Sequence, residues 1–524
     1  MHRRSLLGAL LALLLAGAAV AREPSFDLVL VGGRVVDGTG NPWFRADLGL
    51  LDGRIAAIGD LSAARAVERV DVTGLYLTPG FVDTHSHAGP GLATEELSDA
   101  APLLTQGITT VFVNPDGGGA VDIAGQRTAL EAHGLGVNVA QFVPHGAVRA
   151  SVIGAEDRPA TAAELDAMRA LVRLGMEAGA WGLSSGPFYA PGSYADTQEL
   201  VALARVAGAF GGAYQSHVRD ESNYGIGLLA ALDEVITVAR EARLPGVHTH
   251  IKALGPPVWG MSERIVERIE AARAEGVEVY ADQYPYLASA TGLAPALLPR
   301  WAQAGGEAAT RARLTSEPDA SRIREAVAEN LARRGGAERI QFRRVPWDET
   351  LEGRRLSEVA EQWEVEPVDA ALRMLLAGGA GIVSFNMQDG DVRTLMLQRW
   401  TMTASDGGLV PRGRGVPHPR SYGTFPRRIR RFVVEERLQS LEDAVRTMTS
   451  LPAQVYRMSE RGVIWPGLVA DLVVFDPEAL VDRATFTDPH QLSEGLTHVL
   501  IAGRFALRDG VLTGERAGAV LQRN

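Results

Sequence analysis

The spacing of apolar positions along the chain changes twice and divides it into three parts. Between residues 26 and 76, and again between residues 470 and 503, short runs of alternating apolar residues are bounded by Gly and Asp turns, which is typical of β-strands. In the long middle part, apolar strand-like runs alternate with stretches of helical spacing. This alternation predicts βα units and a parallel sheet. Neither end of the chain is long enough to bury a β-core alone.

The middle part contains eight strand candidates, and eight fits a closed (β/α)8 barrel of the TIM type, in which active residues lie at the C-terminal ends of the strands. The candidates are residues 80–85, 108–114, 138–145, 179–185, 212–217, 247–252, 278–284 and 401–406. The interval between the last two, about 293–385, is rich in Arg, Glu and Ala, and predicts helices at 321–334, 356–361 and 367–376.

The amino terminus predicts export. Residues 2–4 form a basic head, residues 6–18 are apolar, and residues 19–21 are Ala-Val-Ala. This is the pattern of a signal peptide over residues 1–21, cleaved near Ala21 and too short to span a bilayer. The absence of cysteine rules out disulfides and a lipid-modified cysteine anchor. We therefore expect a periplasmic or secreted protein without a stable membrane anchor, and the export route, Sec or twin-arginine, stays open.

The composition argues against one class of partner, nucleic acid, and draws attention to one residue, Lys252. A net charge of −11 over 524 residues gives no basic footprint for nucleic acid. Lys252 is the one lysine among 52 basic residues. Because a flexible ammonium differs chemically from the planar guanidinium that the chain uses elsewhere, we expect Lys252 to have a specific role.

Histidines and aspartates follow five of the eight strand candidates. His85 and His87 are two residues apart, so on a strand they share a face and can chelate a divalent metal; an isolated pair of this kind is as easily a polar turn. The further candidates are Asp116, His217, His250 and Asp406. His248 shares a face with His250 and is a donor behind the ligands or a core residue. Since the C-terminal ends of barrel strands meet at one rim, the set predicts a metal centre.

These motifs resemble a known family. Residues 77–87 are similar to the first barrel strand of the amidohydrolase superfamily, and the segments around His217, His250 and Asp406 are similar to its N-acyl-D-amino-acid deacylases (D-aminoacylases). The resemblance runs from about residue 26 to about residue 515. It implies a β-sandwich built from residues 26–79 and 455–515, a hydrolase barrel over residues 80–454, and a lid at about 293–385, where a decorative surface is the alternative.

The resemblance also implies Zn²⁺ as cofactor, one or two ions, with Mn²⁺ or Co²⁺ possible. It places His85, His87 and Asp406 on one ion, His217 and His250 on the other, and Asp116 between them, where the family usually has a cysteine. The alternative for Asp116 is an Asp-Gly turn that touches no metal. A bridge through a carboxylated lysine, as in hydantoinases, is excluded because no lysine precedes Lys252.

The implied reaction is hydrolysis of an N-acyl-D-amino acid to a carboxylic acid and a free D-amino acid. A metal lowers the pKa of its water to about 7, so that hydroxide attacks the carbonyl, with Asp406 as general base and acid. The residues that would hold the substrate are Lys252 and Arg420 at its α-carboxylate, Tyr284 as a donor, Tyr194 at the developing oxyanion, and Ser289, one residue from the family register. For both tyrosines, core packing is the alternative.

Two other functions stay open. A dipeptidase or D-stereospecific peptidase could use the same metal centre, and the protein could be a non-catalytic exported metal-binding protein. The presence of Asp406 argues against simple binding, because binding needs no proton shuttle. The expected partner is a small molecule with a free carboxylate. The accepted side chain and acyl group, the D preference beyond the resemblance, the native metal and the oligomeric state are not readable from these residues.

Overall fold

The computed structural model describes residues 26–523, so the predicted signal peptide lies outside the described residues. The strands are β1 (Phe26–Val35), β2 (Phe44–Leu51), β3 (Arg54–Gly59), β4 (Ala66–Asp71), β5 (Tyr76–Pro79), β6 (Phe81–Asp83), β7 (Ile108–Val113), β8 (Asn138–Gln141), β9 (Val143–Pro144), β10 (Gly182–Ser185), β11 (Ala213–Ser216), β12 (Gly246–His248), β13 (Val279–Gln283), β14 (Ser289–Gly292), β15 (Ile340–Arg344), β16 (Gly381–Ser384), β17 (Thr401–Thr403), β18 (Leu472–Phe475), β19 (Leu496–Ile501), β20 (Arg504–Arg508), β21 (Val511–Leu512) and β22 (Val520–Leu521).

The α-helices are α1 (Gly89–Leu92), α2 (Ala101–Leu104), α3 (Ile123–Glu131), α4 (His145–Ile153), α5 (Ala162–Glu177), α6 (Thr197–Ala209), α7 (Leu228–Ala242), α8 (Ser262–Ala274), α9 (Leu293–Leu297), α10 (Gly306–Thr315), α11 (Asp319–Arg333), α12 (Leu356–Gln362), α13 (Pro367–Ala377), α14 (Asp389–Met396), α15 (Arg420–Ile429), α16 (Leu441–Met448) and α17 (Ser450–Tyr456). Helix α5 begins with a capping box between Thr161 and Glu164, which satisfies backbone donors at its first turn. No helix within residues 26–523 is long and apolar enough to cross a membrane.

Strands from the two ends of the chain join in one nine-stranded sheet. Its order is β21-β20-β19-β18-β5-β1-β2-β3, with β4 paired to β1. The two ends meet where β18 runs antiparallel to β5, with Leu472 opposite Pro79. Their alternating apolar residues share a core that includes Leu30, Leu48 and Val474. Each end therefore completes the apolar core that the other is too short to build.

Each of the eight predicted strand segments overlaps an observed parallel strand. These strands form two sheets, β22-β8-β7-β6 and β9-β10-β11-β12-β13-β17. The third predicted segment is divided into β8 and β9, and its predicted last residue, His145, begins α4 instead. The last strand is joined to the first beyond their ends, because the Asp406 N–H donates to the His85 carbonyl (2.9 Å) and the His87 N–H to the Gly407 carbonyl (2.8 Å).

The interval 293–385 contains helices where they were predicted, α11, α12 and α13, and also a sheet that the pattern missed. Strands β14, β16 and β15 pair antiparallel in that order. The interval has its own apolar core, in which Val327 of α11 packs with Phe342 of β15 and Met374 of α13. This insertion carries one edge of the cavity described below.

Candidate active site

The six predicted metal ligands lie within four residues of the ends of five parallel strands, β6, β7, β11, β12 and β17. Asp116, His250 and Asp406 have φ angles of 56°, 36° and 48°. This left-handed backbone is unfavourable for residues with a side chain. It is held by neighbouring groups; the His250 N–H, for example, donates to an Asp282 carboxylate oxygen at 2.5 Å. Strain of this kind concentrates at functional sites.

The first group of side chains surrounds a point between β6 and β17. His85 Nε2 lies 3.2 Å from Asp116 Oδ1 and 3.7 Å from Asp406 Oδ1. His87 Nε2 lies 3.3 Å from Asp116 Oδ2 and 3.2 Å from Asp406 Oδ1. One ligand atom from each of these four residues falls within 4.8 Å of the others, which is the spacing of donor atoms around a single ion.

The second group consists of Asp116, His217 and His250, whose ligand atoms also lie within 4.8 Å of one another. His217 Nδ1 is 2.9 Å from His250 Nε2, and Asp116 Oδ1 is 3.8 Å and 3.6 Å from these two nitrogens. Asp116 thus belongs to both groups of candidate ligands. His248 belongs to neither group and is fully buried within β12, where burial lowers its pKa to about 3.

The residues fit a divalent metal. Among the described residues, both ring nitrogens of His85, Asp116 Oδ1 and His217 Nε2 are buried without a hydrogen-bond partner, although His85 and Asp116 approach to 3.2 Å. Buried polar atoms left unpaired in this way are costly unless another group satisfies them. Four imidazoles and two carboxylates form a donor set that zinc accepts, and oxygen ligands also admit manganese.

The electrostatics of the site keep both carboxylates ionised. Burial alone would raise the pKa of Asp406, but Arg420, with Nη1 2.7 Å from Asp406 Oδ2, and His250 hold that pKa well below its usual range. Burial is likewise outweighed at Asp116, where His85 and His250 lower the pKa. Although burial opposes protonation of His87, its hydrogen bonds with the two aspartates raise its pKa to about 9. The two ionised carboxylates are therefore stabilised by positive charge beside them, and a metal ion competes with protons on the histidines to provide that charge.

The two groups form the floor of a cavity of about 910 Å³, whose lining includes the four residues predicted to hold the substrate, Lys252, Tyr284, Ser289 and Arg420. Lys252 Nζ donates to Glu221 Oε1 at 2.6 Å and lies 2.6 Å from His250 Nδ1. The guanidinium of Arg420 lies over the ring of Tyr284, 4.7 Å from its centroid. These side chains place positive charge and hydrogen-bond donors beside the carboxylate–histidine cluster.

Tyr194 does not line this cavity, so the structure does not bring it beside the ligand groups, where its predicted role at the oxyanion requires it. Its hydroxyl donates to the Arg300 carbonyl (3.1 Å), and Tyr194 itself ends the 3-10 turn Gly192–Tyr194. Tyr189, five residues earlier in the same loop, lines the cavity instead, with its ring 4.7 Å from that of His217. The Tyr189 hydroxyl lies 3.2 Å from Thr291 Oγ1.

Sequence reasoning also missed Glu221. This buried carboxylate lies 3.1 Å from His250 Nδ1 and 3.9 Å from His217 Nε2, in addition to its bond from Lys252. Its position four residues after His217 was the available signal. Glu221 therefore connects the predicted substrate-binding lysine to both histidines of the second group. Arg343, from the insertion, is a further missed residue that lines the cavity.

Comparisons with known proteins agree with this geometry. A model described as the amidohydrolase family matches residues 68–506. A D-aminoacylase of Alcaligenes xylosoxydans xylosoxydans is 36% identical over 521 residues, which is 95% of this chain and 98% of the relative. A solved D-aminoacylase with a binuclear metal centre is 33% identical, with a TM-score of 0.82 over 95% of this chain and 100% of that one. The N-acyl-D-glutamate deacylase of Bordetella bronchiseptica, solved with zinc and a phosphonate mimic of the tetrahedral intermediate, is 34% identical, with a TM-score of 0.81 over the same shares.

Proposed function

The chain belongs to the amidohydrolase family, and from that premise we propose that it hydrolyses the amide bond of N-acyl-D-amino acids, releasing a carboxylic acid and a free D-amino acid. The observation that carries the proposal is the convergence of four histidines and two aspartates on the floor of one cavity, with Lys252 and Arg420 beside them. The name and metal content of the relatives support the same activity.

The two groups of ligands, which share Asp116, would hold one or two zinc ions, with manganese or cobalt as substitutes. A zinc ion bound there supplies Lewis-acid polarisation of the substrate carbonyl and acidifies a water molecule. The ionised carboxylate of Asp406 is the general base, which accepts a proton from the attacking water and returns it to the departing amine nitrogen. Arg420 keeps that carboxylate ionised at neutral pH through their 2.7 Å ion pair.

The substrate is oriented by the cations of the cavity wall. The free α-carboxylate is held between Lys252 and Arg420, since a guanidinium and an ammonium give short, charge-assisted hydrogen bonds to it. Tyr284 and Ser289 border the same wall. The hydroxyl of Tyr189, beside His217, donates to the carbonyl oxygen as it becomes an oxyanion, and so takes the role first expected of Tyr194.

The decisive test is a hydrolysis screen of N-acetyl- and N-formyl-D- and L-amino acids and dipeptides, with zinc-, manganese- and cobalt-loaded protein. Release of free D-amino acids is expected. Cleavage of dipeptides alone would replace the proposal with a peptidase, and cleavage of L-substrates alone would remove the D preference. The Asp406→Asn variant should lose about 10²- to 10⁴-fold in kcat while its zinc content, measured by plasma emission, stays near that of the wild type. Full activity of that variant would exclude Asp406 as the base.

We further propose that the two parallel sheets are parts of one closed (β/α)8 barrel, with a β-sandwich built from both chain ends and a lid over the cavity at about 293–385. The hydrogen bonds from Asp406 and His87 across the β17–β6 junction support closure. Arg343, which reaches the cavity from β15, supports the lid. A crystal structure with open edges on both parallel sheets would refute the barrel.

We propose export to the periplasm or outside the cell on the basis of residues 1–21 alone. The basic head, apolar stretch and Ala-Val-Ala site support a signal peptide. Fusion of residues 1–25 to a reporter that is active only after export tests this directly. Retention of the reporter in the cytoplasm would refute it.

A further inference from the structure

Besides Arg334, which donates to the Ala296 carbonyl at 3.4 Å, Arg343 is a cation of the cavity lining that the proposed reaction does not use. It lies on β15, in the insertion, and lines the same cavity as Asp406, Lys252 and Arg420. Its neighbour Arg344 does not line the cavity and pairs instead with Glu349 and Glu352 at 2.9 Å. One of two adjacent arginines is thus directed into the site and the other to the surface.

The charges of the cavity leave Arg343 without a partner. The carboxylate of Glu221 lies 2.6 Å from Lys252, and that of Asp406 lies 2.7 Å from Arg420. Among the described residues, no carboxylate lies within ion-pair distance of the Arg343 guanidinium and no acceptor takes a hydrogen bond from it, while its Nε atom is fully enclosed. Because a guanidinium is always charged, enclosing it unpaired is costly. Such a group is suited to an anion that arrives with the ligand.

Two further observations agree with an anion at Arg343. Gly381, on the paired strand β16, leaves room beside it, since a Cβ there would lie 3.0 Å from Arg343 Nε. Burial, and then the nearby positive charge of Arg420, lower the pKa of Arg343. Two arginines facing one cavity repel each other until a bound anion compensates them.

We propose that Arg343 forms a subsite for a second carboxylate, so that the preferred substrate is an N-acyl amino acid with two carboxylates. This rests on the proposed function and narrows its substrate class. The first carboxylate lies at Lys252 and Arg420, and the second forms a bidentate pair with the planar fork of Arg343. An acidic side chain and a dicarboxylic acyl group share this chemistry, and the choice of substrates distinguishes them.

The experiment compares kcat/KM for N-acetyl-D-leucine, N-acetyl-D-glutamate, N-acetyl-D-aspartate and N-succinyl-D-leucine. The wild type should prefer at least one dicarboxylate, the two acetyl amino acids reporting on the side chain and the succinyl compound on the acyl group. In Arg343→Met, the ratio of kcat/KM for that dicarboxylate to kcat/KM for N-acetyl-D-leucine should fall about 10- to 100-fold, as for loss of a charged hydrogen bond. Arg343→Lys should restore part of the ratio, and the matched control Arg344→Met should leave it unchanged.

The outcomes separate this inference from the proposed function. Hydrolysis of N-acetyl-D-leucine as fast as every dicarboxylate would support the deacylase activity and overturn the subsite. An equal loss in Arg343→Met on all four substrates would also overturn it, because Arg343 would then help to hold the one α-carboxylate. If Arg343→Met does not fold, the wild-type kcat/KM values for the dicarboxylates and for N-acetyl-D-leucine decide whether the subsite exists. If no compound is hydrolysed, the proposed function fails, and calorimetric binding of the same four compounds decides on the subsite alone.

Discussion

Replacing Glu221 with Gln tests how the second group of predicted ligands is held in place. The buried carboxylate lies 2.6 Å from Lys252 Nζ and 3.1 Å from His250 Nδ1. Burial would raise the pKa of Glu221, but Lys252 and the histidines hold it well below its usual value, so the group is ionised. Gln keeps the shape of the side chain and removes its charge. Lys252 then loses its counter-ion, and His250 loses the carboxylate behind its ring.

The size of the effect follows from these two contacts. A hydrogen bond to a charged group contributes about 1.5–3 kcal/mol and a neutral one about 1 kcal/mol, so each contact loses about 1 kcal/mol. Two contacts give about 2 kcal/mol, which corresponds to about 30-fold weaker zinc binding. This lies within the 10- to 100-fold range typical of groups that orient metal ligands. We therefore expect a 30-fold increase in the Kd for zinc.

Zinc affinity is measured by competition with a chelator of known affinity, alongside thermal unfolding of the metal-free protein. The matched control is Glu234→Gln, which makes the same change in a buried carboxylate that pairs with Arg219 (2.8 Å) outside the cavity lining. That control should alter stability and leave zinc affinity unchanged. Wild-type zinc affinity in Glu221→Gln would refute the reasoning, as would an equal loss of affinity in both variants.

Three further predictions concern oxyanion binding, acid stability and metal removal. Tyr189→Phe should lower kcat about 10²-fold or more, as loss of an oxyanion donor does, whereas Tyr194→Phe should leave kcat near the wild-type value; equal values of kcat in the two variants would contradict the assignment. Burial alone would raise the pKa of Glu199, but His145 and Arg149 lower it overall. The ionised Glu199 therefore stabilises the fold above the unfolded pKa of about 4.3, and this contribution is lost as the pH falls through the folded pKa. In Glu199→Gln, the free energy of unfolding in urea should decrease less steeply with falling pH than in the wild type, and an unchanged slope would count against the pairing. Zinc at about 100 times its Kd should add about 2.7 kcal/mol of stability, and a chelator should lower Tm by the corresponding amount; a Tm insensitive to chelator would contradict binding by the folded state.

The candidate ligands were predicted from two sources, the rules for residues at strand ends and the resemblance to the deacylase family. The two-residue spacing of His85 and His87 places both rings on one side of a strand end. The C-terminal ends of neighbouring parallel strands lie at the same edge of the sheet. Residues that follow different strands, such as His217 and Asp406, are therefore close together at that edge. These rules depend on the strand pattern, which the apolar spacing reveals.

Other parts of the site depend on conformation that the pattern does not contain. Asp116 and Asp406 have left-handed backbone angles, and no apolar period signals them. Tyr189 and Tyr194 lie in the same loop after β10, and only Tyr189 lines the cavity, a difference that the residue pattern does not reveal. Arg343 lies on an antiparallel strand within a segment whose pattern predicted helices alone, so its contribution to the cavity could not be foreseen.

The single lysine of the chain is explained by the space around its ammonium. Lys252 Nζ lies 2.6 Å from both Glu221 Oε1 and His250 Nδ1, and the side chain is almost fully buried. A compact ammonium with three donors can bond the Glu221 carboxylate, fit beside the His250 ring and still offer a donor to the cavity. A guanidinium is broad and planar, and its five donors are fixed in one plane, so it would displace the histidine that it must support. The 51 arginines that serve elsewhere in the chain therefore could not serve here.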